Sequence, residues 1–145
     1  MMDKVLEKRM YFFTIYQLSG IQAGIQCGHA ALEYAYKYKD DPDYIDFIEN
    51  WKTWIILNGG TTNNDNINLG SLNEIRLSLI DHGIKFSEFY EPDLNNSLTA
   101  ICFLLDERVF NFRDIDLYNS DAIERLGVDN LFLYLLIRGK SLAKN

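Results

Sequence analysis

The sequence contains little proline, cysteine and histidine, and this scarcity excludes several classes of protein. Two prolines and two cysteines occur in 145 residues, and Cys27 and Cys102 belong to no Cys-x-x-Cys pair or Cys/His cluster. We therefore expect no metal site and no cofactor. No apolar run approaches about 20 residues, and residues 1–9 are charged without a signal-type apolar segment after them. We expect a cytoplasmic protein that does not enter a membrane.

Basic residues are also scarce. Lysine and arginine total 14 against 21 acidic residues, which gives a formal net charge of −7. Affinity for nucleic acids comes largely from lysines and arginines that contact phosphates, and here these residues are scattered along the chain. The charge therefore argues against a general nucleic-acid binder.

The sequence is rich in apolar and aromatic residues. Hydrophobic residues make up 48%, including nine phenylalanines and nine tyrosines. This composition excludes a disordered chain, and the length suits one domain better than two. We expect a single domain over residues 1–145.

The order of the periodic segments predicts an α/β fold. Residues 10–17 are aromatic and β-branched, which predicts a strand, and a capping box at Ser19 and Gln22 predicts a helix from about Gly20 to Tyr38. The short link between the last two strands predicts that they are antiparallel neighbours. We expect a small four-stranded mixed sheet flanked by helices. The further strands are predicted at residues 54–57, 84–90 and 98–105, and the further helices at 43–51, 71–81, 120–126 and 130–143.

The helix that begins at Gly20 has two stripes. An apolar stripe at helical spacing is predicted to face the sheet. A polar stripe is a candidate site, although a surface helix ordinarily has a polar face without any ligand. The apolar stripe consists of Ile21, Ile25, Gly28, Leu32 and Ala35. The polar stripe consists of Gln22, Gln26, His29 and Glu33.

Two other segments carry predictions. Residues 58–66 form a polar loop of glycine, asparagine and threonine, which is either a plain connection or a source of hydrogen-bond donors without positive charge. Residues 131–137 are apolar on nearly every side of a helix, which predicts burial against the domain or against a second copy. We therefore expect a homodimer or a higher homo-oligomer.

The stretch Gln-Cys-Gly-His-Ala-Ala at 26–31, after a capped and glycine-rich first turn, resembles the first helix of the archaeal- and eukaryotic-type (type 2) peptidyl-tRNA hydrolases. The order of elements is similar over about residues 8–106, which leaves about 107–145 as a C-terminal helical extension. The resemblance implies a small mixed sheet, a homodimer, and hydrolysis of the ester between a peptide and tRNA. His29 stands where the family has its histidine, and Thr99 where it has a later threonine. The chain also resembles uncharacterised proteins of large tailed phages.

The chain departs from this family at charged positions. Gln22 and Asn58 stand where the family has lysines, and the segment at 91–96 lacks the family's arginine. One hypothesis is therefore a diverged protein that binds a small polar, nucleotide-like ligand, for example a host nucleotide signal sequestered in the host cytoplasm. The alternative is a working peptidyl-tRNA hydrolase, with catalysis by His29 and a carboxylate from Glu91 or Asp93. The ligand-binding residues of the first hypothesis are Gln22, Gln26, His29, Asn58, Thr61, Thr62, Asn95, Asn96 and Thr99.

Overall fold

A computed structural model describes residues 5–65 and 67–143 and has a four-stranded mixed sheet at its centre. The strand order is β2-β1-β4-β3. The central strand β1 pairs parallel with β2 and antiparallel with β4, which in turn pairs antiparallel with β3. The predicted α/β fold with a mixed sheet is thus confirmed. The strands are β1 (Lys8–Ile15), β2 (Trp54–Gly60), β3 (Ser87–Glu91) and β4 (Ser97–Asp106).

Helices cover both faces of the sheet, and each face has its own apolar core. On one face, Met10 and Phe12 of the central strand pack against the first two helices. On the other face, Phe13 and Phe103 pack against the helices from the later part of the chain. The helices are α1 (Gly20–Lys37), α2 (Pro42–Asn50), α3 (Ser71–Asp81), α4 (Glu107–Phe110), α5 (Ser120–Leu126) and α6 (Val128–Ile137).

The predicted capping box fixes the start of α1. The Ser19 hydroxyl accepts from the Gln22 amide at 3.2 Å, and the Gln22 side-chain carbonyl accepts from the Ser19 amide at 3.3 Å. The helix then begins at Gly20, as predicted.

The face of α1 that meets the sheet is not the predicted one. Ile21 is 80% exposed and Leu32 is 70% exposed, so the predicted contact stripe points to solvent. Three of the buried residues are small (Ala23, Cys27 and Ala30), which lets the helix lie close to β3 and β4. Because both sides of α1 are apolar, helical periodicity could not select between them. The buried residues of α1 are Ala23, Gln26, Cys27, Ala30 and Tyr34.

The apolar helix α6 folds back onto its own chain. Leu133 and Tyr134 are buried in the core, and the Phe132 ring stacks on the His82 ring with centroids 3.6 Å apart. This packing accounts for the apolar sequence that had suggested a second copy. The helix ends at Ile137, so its predicted extension to residue 143 is wrong.

After α6 the chain turns back and lies along the edge of β2. Gly139 has a φ of 73°, a left-handed conformation that glycine adopts without strain. The Asn58 amide donates to the Ser141 carbonyl at 2.8 Å, and the Ala143 amide donates to the Ile56 carbonyl at 2.9 Å. The end of β2 is therefore covered by this returning segment.

One edge of the sheet gathers several of the polar segments. β1 and β2 are parallel and both end there, while the antiparallel β3 ends and β4 starts at the same edge. The Asn64 side-chain amide, in the loop after β2, donates to the Asn95 carbonyl in the β3–β4 turn at 2.7 Å. Ligands of open α/β sheets commonly bind at the carboxyl ends of the strands.

No helix among the described residues is long and apolar enough to span a membrane.

Candidate functional site

A β-bulge brings two of the predicted site residues together. Phe89 pairs with Ala100 and Tyr90 pairs with Leu98, so Thr99 is the extra residue of β4. A bulge re-aims the side chain of the extra residue. The Thr99 hydroxyl points to α1 and donates to the Gln26 side-chain carbonyl at 2.5 Å, and both residues are buried.

The Gln26–Thr99 pair belongs to a buried polar cluster beneath α1. The Thr14 hydroxyl donates to the Thr99 carbonyl at 2.9 Å, and the Thr99 hydroxyl also lies 3.4 Å from the Phe89 carbonyl oxygen. The side-chain carbonyl of Gln26 therefore accepts a hydrogen bond from within the protein.

His29 lies one turn after Gln26 and is half-buried. Its ring stacks on the Phe89 ring, with centroids 4.4 Å apart. Within the described part of the chain, no hydrogen bond or ion pair links His29 to Glu91 or Asp93. The structure thus holds the histidine by an aromatic contact and not by the carboxylate expected for a hydrolase.

The two asparagines of the β3–β4 turn have a conformational explanation. Asn95 and Asn96 have φ values of 57° and 56°, and asparagine tolerates this left-handed region better than most residues. The Asn96 amide donates to the Glu91 carbonyl at 3.0 Å and closes the turn. Neither side chain makes a hydrogen bond within residues 5–65 and 67–143, so both amides face solvent.

The threonines after β2 cap α3. The Ser71 amide donates to the Thr61 hydroxyl at 3.1 Å, and the Thr61 amide donates to the Ser71 hydroxyl at 2.9 Å. The Thr62 hydroxyl lies 3.4 Å from the Asn73 side-chain oxygen. Their predicted role as ligand donors therefore competes with a structural role.

Asn73 is the residue that organises this loop, and sequence reasoning did not single it out. Its side-chain oxygen accepts from the Gly70 amide at 3.0 Å and from the Asn63 amide at 3.1 Å, while its amino group donates to the Asn63 carbonyl. The N-cap of this helix is Gly70, so α3 begins at Ser71, where the sequence predicted its start. One sequence pattern could have identified Asn73: an asparagine three residues after a glycine, at the start of a segment with apolar residues at helical spacing.

Asn58 stands where β2 ends, opposite Thr14 of β1. Its side-chain oxygen accepts from the Gly60 amide at 2.9 Å, an Asx turn that ends the strand. Two cavities meet at this residue. The smaller one, of about 100 Å³, lies under the first turns of α1 beside Ala23 and Leu18.

The larger one is an open groove of about 420 Å³ between the end of β2, helix α3 and the end of α6; we name it the β2–α3 cleft. Ile75 and Leu136 provide its apolar surface. Its polar lining carries one amine and one carboxylate, so the charges of the cleft balance. Sequence reasoning missed all of the polar lining except Asn58, because the cleft forms only when the C-terminal segment returns to the sheet. The polar side chains are Asn58, Ser71, Glu74, Ser78 and Lys140.

Comparison with known proteins does not assign the chain. No family model matches it, and no curated protein matches it. The resemblance to type 2 peptidyl-tRNA hydrolases therefore rests on the residues of α1 and on the order of the elements.

The two cysteines are inert core residues. Cys27 and Cys102 are fully buried, and burial raises the pKa of each thiol to about 12. The Ser87 hydroxyl lies 3.0 Å from the Cys102 sulfur and also donates to the Ala30 carbonyl at 2.7 Å. A thiol needs to ionise to act as a nucleophile, so neither cysteine supplies covalent chemistry at neutral pH.

Proposed function

We propose that this is a diverged peptidyl-tRNA-hydrolase-2-like protein that binds a small polar, nucleotide-like ligand in the cytoplasm without hydrolysing tRNA. The observation that supports it most is the β2–α3 cleft beside Asn58. Its volume of about 420 Å³ lies within the range of small-molecule sites.

The lining of the cleft suits the parts of a nucleoside. A planar base packs against apolar side chains, which Ile75 and Leu136 supply. The Asn58 side-chain amino group donates to base or ribose oxygens, and the Glu74 carboxylate accepts from ribose hydroxyls. These contacts recognise hydroxyl and amide groups without a surplus of positive charge.

The charge of the cleft limits the ligand. Lys140 is the lining residue that pairs with a phosphate, while Glu74 and the overall charge of −7 repel further anions. A nucleoside or a monophosphate is therefore favoured over a triphosphate or a tRNA. The same charges argue against hydrolysis of peptidyl-tRNA, because binding tRNA needs attraction to many phosphates.

Native mass spectrometry of the protein purified from cells tests for a retained ligand and gives the subunit number. Calorimetry with adenosine and guanosine, their monophosphates and their triphosphates then ranks the ligands. We expect a nucleoside or monophosphate to bind and to be recovered unchanged, as sequestration requires. Lys140→Ala should weaken binding of the monophosphate about tenfold relative to the nucleoside, and the exposed Lys39→Ala serves as the control of equal charge.

Two outcomes contradict the proposal. The first is no binding of any of these six compounds and no retained small molecule. The second is hydrolysis of peptidyl-tRNA well above background that is lost in His29→Ala, which supports the hydrolase instead.

The proposal includes assembly of the protein as a homodimer or a higher homo-oligomer. Because Leu133 and Tyr134 of α6 are buried in their own chain, we look for the surface of this assembly elsewhere.

A further inference from the structure

Helix α1 has a second apolar face, on the side opposite the sheet. Of its large side chains, Ile21 is 80% exposed, Ile25 52%, Leu32 70% and Tyr36 81%. With 3.6 residues per turn, these four fall on the far side of the helix from the buried Ala23 and its neighbours. We call this surface, together with Gly28 at its middle, the outer face of α1.

The outer face is as large as the largest apolar patch of a typical monomer, and such patches are often functional. Single exposed apolar residues are common, but contiguous patches beyond a few hundred Å² mark interaction sites. The four side chains form one strip along an 18-residue helix and expose on the order of 500 Å². A standard interface covers about 800 Å² on each partner, and about two thirds of it is apolar in homodimers. The strip therefore supplies most of the apolar area that one side of a dimer needs.

The glycines of α1 give a second reason to place a helix against this face. A Cβ atom at Gly28 or Gly24 would meet nothing within 4 Å, so packing inside the chain does not require glycine at either position. Glycine within a helix is less stable than alanine. A bare backbone at the centre of the strip allows another helix to approach closely.

The strip is also self-complementary. Ile25 and Leu32 are equally distant from the middle of the helix, between Gly28 and His29, and so are Ile21 and Tyr36. If two copies of α1 cross antiparallel at this point, Ile25 meets the second copy's Leu32 and Ile21 meets its Tyr36. A two-fold interface requires this relation, because each contact occurs twice.

We propose that two copies of the protein associate through the outer face of α1, antiparallel and with the two-fold axis near Gly28. This deepens the proposed homo-oligomer by naming its surface, and it does not depend on the ligand. The outer face carries no charge, while each copy carries −7. Association should therefore strengthen with added salt, which screens the repulsion between the copies.

Sedimentation equilibrium of the full chain tests the surface. The double variant Ile25→Asp/Leu32→Asp should raise the dimer dissociation constant at least about a hundredfold, because it places carboxylates in the contact. These side chains lie outside both cores, so the circular dichroism spectrum and melting behaviour of the monomer should be retained. Val128→Asp is the control, since Val128 is 79% exposed on another helix and should leave the dimer intact.

Disulfide crosslinking tests the antiparallel arrangement. In Ile25→Cys/Leu32→Cys the new thiols of two copies face each other, and oxidation should give a covalent dimer. In Ile25→Cys alone the two thiols lie about 10 Å apart along the helices, beyond the reach of a disulfide. The native thiols are buried and do not compete.

Three outcomes overturn the inference: a monomer at 100 µM in high salt, a dimer that survives the double aspartate variant, or a covalent dimer from Ile25→Cys alone. Calorimetry with the nucleoside and monophosphate panel on the aspartate variant separates the two proposals. Loss of the dimer with unchanged binding leaves the ligand proposal standing, and a dimer without any ligand leaves the interface standing.

Discussion

Thr99 and Gln26 form a buried hydrogen bond, 2.5 Å long, between β4 and α1. The bulge in β4 is what turns the threonine toward the helix, and the pair joins α1 to the start of β4. Both residues are among the ligand-binding residues predicted from the sequence. In this chain the bond also has a structural role that is open to measurement.

Thr99→Val should destabilise the protein by about 1–3 kcal/mol, because it leaves the buried Gln26 carbonyl without a donor. Thr99→Ser keeps the hydroxyl and is the matched control. Adding Gln26→Leu to Thr99→Val removes both partners and should recover part of the loss. Urea unfolding followed by circular dichroism measures the four free energies. Equal stability of the valine and serine variants would show that the bond contributes nothing.

The sequence predicted the elements well where a local signal exists. The capping box at Ser19 placed the start of α1, and the short turn at 91–96 predicted that β3 and β4 are antiparallel. The predicted helix at 120–126 matches α5, which ends just before Gly127, a residue with a φ of 88°. Each of these features depends on a few neighbouring residues, which is why sequence reasoning reached them.

Long-range packing set the features that sequence reasoning missed. Both sides of α1 are apolar, so the choice of buried face depended on the shape of the sheet beneath it. The β2–α3 cleft needed the return of the chain after Gly139, which brings Lys140 next to Asn58 and Glu74. The hydrogen bonds that occupy Thr61 and Thr62 come from residues about ten positions later.

Asn58→Lys introduces the lysine that type 2 peptidyl-tRNA hydrolases, which the chain resembles, have at this position. The variant therefore distinguishes ligand binding from ester hydrolysis. An ammonium group has no acceptor for the Gly60 amide and brings a second cation into the cleft. We expect loss of nucleoside binding and a loss of about 1 kcal/mol of stability. Asn58→Asp keeps the acceptor but not the donors, so it should lose binding at nearly unchanged stability. Stronger tRNA binding and faster ester hydrolysis in Asn58→Lys would instead indicate a hydrolase.

The two thiols should be unreactive in the folded protein. With a pKa of about 12, each cysteine is almost entirely protonated at pH 8, and burial also blocks access. Ellman's reagent should therefore detect no thiol in native protein and two after unfolding in guanidinium chloride. Rapid reaction of one thiol without denaturant would show that α1 opens from the sheet.

Asp46 should make the protein sensitive to acid. Its carboxylate accepts from the Lys8 amine at 2.7 Å, from the Asn50 side chain at 2.7 Å and from the Trp51 indole at 3.0 Å. These hydrogen bonds, the one from Lys8 first, lower the pKa of Asp46 below its ordinary value of 3.8. The stabilisation is therefore complete above that value and is lost as the pH falls through the lower pKa of the folded state.

Asp46→Asn tests this assignment. At pH 7 the variant should be less stable by about 1 kcal/mol or less, since the carboxylate lies near the surface. Below pH 4 the difference from the native protein should shrink, because protonation removes the same charge from Asp46. Glu49→Gln, an exposed carboxylate of the same helix, is the control and should show no such convergence. Urea unfolding at pH 7, 5 and 3.5 gives the comparison, and a constant difference across these pH values would mean that Asp46 acts through packing and not through its charge.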